Sequence, residues 1–250
     1  MINKLELNAL ATELRGQLGE DERTPLDIYA LVNQIENLTM VLYPLGEYIS
    51  GMCIKDAKEK LIAINSTMSY GRQRFSIAHE LYHLFYDNSE GFSVCAKKLA
   101  FGSQIEKVAD QFASYFLAPY STLRVLVHKI KEKHSMITYA DVISLEQYFG
   151  MSHQAMLWRL VDDGYMTIRD ADAMRTGVMA IAKTLGYEEK LYLPTASELQ
   201  KRTYGSYIQK AETLRNRDLI SNGKYEELLL DAFRHDIVYG EDSNGGELLD

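Results

Sequence analysis

The stretch from about Tyr70 to Phe85 puts the tightest condition on how this chain can fold. Phe75, Ala78, Leu81 and Phe85 recur at helical spacing, so one stripe of that helix must be covered by another apolar surface. His79 and His83 are four residues apart and therefore stack on a single helical face, where each can turn one ring nitrogen toward a shared ion. Glu80 stands beside them, completing the pattern H-E-x-x-H. Zinc suits such a set: neutral imidazole is a good borderline ligand, two ligands one turn apart fit tetrahedral angles, and the neighbouring carboxylate can act on a water. The plain alternative is an amphipathic helix that happens to carry two histidines.

A third ligand separates the two readings. A metzincin continues the motif as H-x-x-G-x-x-H, but here the Gly and third His positions hold Tyr86 and Ser89. A gluzincin takes a glutamate from a later helix, and Ser103 to Ala113 offers Glu106 on a segment with Ile105, Val108, Ala109, Phe112 and Phe116 at helical spacing. Asp110, one turn beyond Glu106, is placed to accept a hydrogen bond from the outer nitrogen of a histidine ligand. Ser103-x-x-Glu106 also reads as a capping box, which accounts for Glu106 but leaves Asp110 unexplained.

The two segments together, Arg72-x-x-Phe75-Ser76-x-Ala78-His79-Glu80-Leu81-x-His83-Leu84 and then Glu106-x-x-Ala109-Asp110-x-Phe112-Ala113 with Leu117-Ala118-Pro119, resemble the ImmA/IrrE family of metallopeptidases. The resemblance covers roughly residues 25 to 165. It implies a Zn2+-dependent, gluzincin-like core whose known members cut or antagonise helix-turn-helix repressors of mobile elements or stress-response genes. Tyr82 stands where relatives often have Gly, and a large ring three residues after His79 is expected to narrow the entrance to the metal.

Composition bounds this reading. With 250 residues, 46% hydrophobic and 25% charged, the chain is ordinary globular material. A net charge of −8 gives no broad phosphate-binding surface, so direct nucleic-acid binding is not expected. Cys53 and Cys95 are too few for a disulfide framework, which fits a reducing cytoplasm. No signal peptide or apolar run of membrane-spanning length is visible, and no membrane partner is expected.

Along the chain, Asn3 caps a helix with Leu7, Leu10, Ala11, Leu14 and Leu18 on one stripe, and Thr24-Pro25-Leu26-Asp27 opens a second with Pro25 at its first position. The period then switches to two. Thr39–Tyr43, Tyr48–Ile54 and Leu61–Asn65 read as three strands of a small antiparallel sheet, which the H-E-x-x-H helix is expected to cover, with Cys53 in the core. The predicted class is α+β, with a zincin-like core and a mostly helical C-terminal half. Asp87 to Gly102 reads as a loop bordering the cleft; Cys95 within it is expected to be a bystander rather than a blocking metal ligand. Arg124, Lys129, Lys131 and Lys133 are expected to form a solvated helix face.

Tyr139 to Gly164 has the spacing of a helix-turn-helix around Gly150-Met151-Ser152. Four acids there (Asp141, Glu146, Asp162, Asp163) face one base, Arg159, so the segment reads as a supporting lobe with Met156 and Trp158 in its core. Ala171–Leu185 reads as one helix, Tyr204–Arg217 and Ser221–His235 as an antiparallel pair joined through Ser221-Asn222-Gly223, and Asp236–Asp250 as a mobile acidic tail. The expected division is a metallopeptidase core at 1–120, a helical lobe at 121–185 and a helical extension at 186–250.

The expected chemistry is peptide hydrolysis, with His79, His83 and Glu106 as ligands, Glu80 as general base and then acid, and Asp110 behind the ligands. By residue type, His128, His134, Tyr139 and Tyr165 are candidate oxyanion donors, while His153 and His235 read as structural or solvent-facing. The expected partner is a helix-turn-helix repressor or antitoxin. The alternatives are a zinc-fold protein that sequesters such a regulator without cutting it, and a DNA-binding regulator using residues 139–164.

Overall fold

The computed structural model describes residues 3–56, 58–87, 91–96, 103–133 and 135–240, with 91–96 described by backbone alone. Helix α1 (Lys4–Gln17) starts at a reciprocal cap in which Asn3 accepts from the Glu6 amide and Glu6 accepts from the Asn3 amide. Leu7, Ala11 and Leu14 form its buried stripe. Helix α2 (Ile28–Gln34) begins later than Pro25 suggests, because the Asp27 carboxylate accepts from the amides of Tyr29 and Ala30 and so fixes the start.

Strands β1 (Leu38–Tyr43), β2 (Ile49–Lys55) and β3 (Lys60–Asn65) lie close to the expected spans. Two further strands, β4 (Gly91–Ala96) and β5 (Arg202–Gly205), complete the order β4-β2-β3-β1-β5. The sheet is mixed rather than purely antiparallel as expected: β3 inserts between β1 and β2 and runs parallel to β1, while its bonds to β2 are antiparallel. Central placement explains the nearly unbroken apolar run of β3, in which Ile62 and Ile64 are fully buried. The segment read as a loop after Asp87 contains β4, paired antiparallel to β2.

Helix α3 (Tyr70–Phe85) has the predicted bounds and covers the sheet over β2 and β3, with Phe75, Ala78 and Leu81 fully buried. Helix α4 (Gln104–Leu117) packs on α3, and α1 packs on α4. Two buried arginines close the C-terminal end of α4: Arg15 donates to the Phe116 carbonyl at 2.7 Å, and Arg159 donates to the Ser114 and Ala118 carbonyls at 2.8 and 2.9 Å. The Ser114 carbonyl also accepts from the Ala118 amide at 3.0 Å, and the two guanidinium groups place cations at the negative end of the helix dipole.

Helix α5 (Tyr120–Lys133) exposes Arg124, Lys129, Lys131 and Lys133 as expected. Helices α6 (Tyr139–Phe149) and α7 (His153–Asp162) meet at the predicted turn. Met156 is fully buried, Trp158 only partly. Arg159, the one base of that segment, is fully buried between α4 and Asp163.

The helix expected at 171–185 is two: α8 (Ile168–Ala173), started by a Thr167–Asp170 capping box, and α9 (Val178–Thr184). After two short 3-10 turns and β5 come α10 (Ser206–Asn216), α11 (Asn222–Asp231) and α12 (His235–Tyr239). The Ser221 hydroxyl caps α11, so Asn222 and Gly223 lie inside that helix and the connection falls earlier, at 217–221. Ala211, Tyr225 and Leu229 form a small core of their own. Residues 241–250, the greater part of the expected acidic tail, lie outside the described residues. Among the described residues no helix is long and apolar enough to cross a membrane.

Candidate metal centre

Helix α3 delivers His79 and His83 to its α4-facing side one turn apart, and both are buried. Glu106, in the first turn of α4, reaches them from the opposite side. The Ser103 hydroxyl accepts from the Glu106 amide, the first half of the expected capping box, while the Glu106 carboxylate turns to the histidines instead of closing it.

The three side chains converge. His79 Nε2 is 3.2 Å from His83 Nε2; Glu106 Oε2 is 3.3 Å from His79 Nε2; Glu106 Oε1 is 3.3 Å from His83 Nε2. A tetrahedral zinc with ligand bonds near 2.05 Å has ligand-to-ligand edges of about 3.3 Å. The three contacts, of which the two to Glu106 use its two different oxygens, are each close to such an edge, and one donor atom from each residue lies within 4.8 Å of the others, so the group has the chemistry for that ion.

The outer ring nitrogens are held as well. His79 Nδ1 lies 2.8 Å from Asp110 Oδ1, the contact expected from the Glu106–Asp110 spacing. His83 Nδ1 lies 2.9 Å from Asp87 Oδ2, which the sequence reading missed. Since carboxylates can only accept, each ring donates from Nδ1, which leaves Nε2 facing the common centre as the atom that would bind a metal once deprotonated. Lys55, at the end of β2, donates to the carbonyl of His83 at 2.7 Å and to that of Asp87, fixing the end of α3 and the residue beyond it.

Electrostatics follow from this crowding. Burial works to lower the His79 imidazolium, but Asp110 and then Glu106 outweigh it and push the group up to about 9. His83 shifts upward too, burial again opposing and Glu106 and Asp87 prevailing. Burial would raise Glu106, and the two imidazoles overcome it to hold the carboxyl well below the usual carboxylate range. Three groups with these mutual demands are a site for a positive charge.

Glu80 is fully buried and lies against β2. A Cβ on Gly51 would come within 2.8 Å of Glu80 Oε1, so glycine at that strand position makes the room the carboxylate occupies. Cys53, two residues on, is a core residue as expected; burial and then the Glu80 charge push its thiol up.

Tyr82 is buried beside the centre, its ring edge-on to that of His83 at 5.8 Å and 5.5 Å from that of Phe112. Other expected contributors lie elsewhere. His128 is exposed on α5 near Glu132. The Tyr139 hydroxyl donates to the Thr176 carbonyl at 2.8 Å and its ring stacks on His153. Tyr165 sits beside Lys131. His153 is structural, bonded to Glu146 at 2.6 Å and the Met174 carbonyl at 2.7 Å, and His235 stacks on Tyr239. His134 and the Cys95 side chain lie outside the described residues.

A search of curated proteins returned no significant match. A family model does match: Peptidase M78, described as the IrrE N-terminal-like domain, over residues 40–161. That span runs from β1 to α7 and includes both helices of the donor triangle. Residues 40–161 are thus similar to the IrrE N-terminal-like domain of Peptidase M78, a metallopeptidase-like family.

Proposed function

We propose that this protein is a zinc metalloendopeptidase that cuts a specific regulatory protein, a helix-turn-helix repressor or antitoxin of a mobile element or stress-response system, in the cytoplasm. His79, His83 and Glu106 would hold the ion. The observation that carries the proposal is the donor triangle, with separations of 3.2, 3.3 and 3.3 Å, backed at both histidines by carboxylates. A bound zinc supplies Lewis acidity, polarising a peptide carbonyl and making water acidic near neutral pH.

The chain's own groups do the rest. Glu80 takes a proton from the attacking water and delivers it to the leaving amine. Asp110 and Asp87 keep the imidazoles in the tautomer that presents Nε2. A sequestering protein without hydrolysis would need the triangle but would place no demand on Glu80. Gly51, which leaves space for that carboxylate, favours hydrolysis. The DNA-binding alternative is weakened by Arg159, whose guanidinium is spent on α4 rather than available to phosphate.

The test is to incubate the protein with helix-turn-helix regulators encoded beside its gene and sequence any new N-termini. Wild type is expected to produce one defined cut and Glu80→Gln none. A cut that persists at full rate in Glu80→Gln rules out the mechanism, and a regulator that is bound but never cut favours sequestration.

A further inference from the structure

A cavity of about 910 Å3 lies beside the start of α3, at the end of the helix opposite its histidines. Its volume falls in the range of sites that hold drug-sized molecules. Met40 and Leu42 of β1 line it together with Tyr204 of β5, the strand partner of Met40. Tyr29 and Tyr70 stand at its side with rings 5.2 Å apart and nearly parallel. Leu193 and Leu199, 41% and 40% exposed, belong to its outer wall. No group of this cavity belongs to the metal centre.

Two polar features select the ligand. The Asn33 side-chain oxygen is buried and accepts no hydrogen bond among the described residues, so a ligand N–H or O–H would satisfy it. The Lys190 ammonium sits 5.1 Å from the centroid of the Tyr70 ring and forms no ion pair among the described residues, whereas its neighbour Lys183 is paired with Glu189. Aromatic faces, one orphan acceptor and the Lys190 ammonium, which shares the wall with Glu188 and Glu189, complement a flat ring that carries a donor and an anionic group.

We propose that this cavity binds a small planar aromatic acid bearing a hydrogen-bond donor. The position gives such a ligand a mechanical link to the motif helix. The Tyr70 amide donates to the Leu193 carbonyl at 2.8 Å, and the Gln73 side chain accepts from the hydroxyls of Tyr29 and Thr195. The cavity wall and the first turn of α3 are therefore one hydrogen-bonded unit.

The test is calorimetric titration of the full chain with indole-3-carboxylate, with indole and benzoate as probes lacking the anion and the donor. The expected result is saturable one-to-one binding with Kd below about 1 mM for the first probe. Lys190→Gln and Asn33→Leu should each weaken it about tenfold. Ala196→Trp, at the mouth, should abolish it with the helical circular dichroism unchanged; Leu199→Trp is the substitute if that variant does not fold. No saturable binding of indole-3-carboxylate, or an affinity unmoved by both Asn33→Leu and the mouth-filling variant, would overturn the proposal.

Discussion

His83 donates its Nδ1 proton to Asp87 at 2.9 Å, a bond that matches the 2.8 Å contact between His79 and Asp110 on the other side of the donor triangle. Both histidines are thus oriented by a carboxylate. Removing either support, by Asp87→Ala or Asp110→Ala, should weaken zinc binding about 10- to 100-fold. Competition against a chromophoric chelator measures this directly; an unchanged affinity in Asp87→Ala would show that the contact does not orient His83.

Gly51→Ala places a Cβ within 2.8 Å of Glu80 Oε1, and Ile64 and the Ala63 carbonyl close the other directions at 3.2 and 3.3 Å. The carboxylate must move while the ligands stay in place. The variant should keep its metal, lose turnover by a factor of about 100 or more and lose little stability. Metal content and cleavage rate, measured on one preparation, separate this outcome from simple unfolding.

Metal affinity should depend on pH with a predictable sign. In the metal-free protein the His79 imidazolium is held up to about 9, so below that value a proton must leave before the ring can bind a metal. Apparent affinity should rise by up to about tenfold per pH unit for each proton released, and level off above pH 9. The stability of the metal-free fold runs the other way. A group raised from an unfolded value near 6.5 to about 9 contributes fully below the former and loses its contribution as pH rises through the latter. Thermal melts of metal-free protein between pH 6.5 and 9 should show that fall.

Gly150 ends α6 in the left-handed region at φ 64°, and a Cβ there would lie 2.6 Å from the Arg74 Nε. Arg74 is buried and donates to the carbonyls of Gly150 and Leu26 at 2.8 and 2.7 Å, tying α3 to the α6–α7 turn. Gly150→Ala should therefore destabilise the fold by about 2 kcal/mol or more, read from denaturant melts, with the zinc stoichiometry unchanged.

The sequence made visible those parts of the site that obey a helical period. His79 and His83 share a face, Glu106 and Asp110 repeat the four-residue step, and the bounds of α3 came from its own apolar stripe. Asp87 also follows its histidine by four residues, but α3 ends at Phe85, and helical spacing says nothing about a residue beyond the helix. Lys55 and Gly51 act through contacts between β2 and α3 that no local pattern encodes. The parallel pairing of β1 with β3 is likewise a tertiary choice, and β5 is only four residues long and runs straight into a helix. Tyr82 follows the same period: its ring lies edge-on to that of His83 and also packs on Phe112, a contact to α4 that spacing within α3 does not encode.

The most direct test is zinc content per chain, by elemental analysis, in wild type and Glu106→Ala purified without chelator. The predicted result is about one zinc per wild-type chain and clear loss in the variant, which keeps both histidines but opens the triangle. A wild-type chain that takes up no zinc even after reconstitution, or a Glu106→Ala chain that holds zinc as tightly as wild type, would contradict the three-ligand centre.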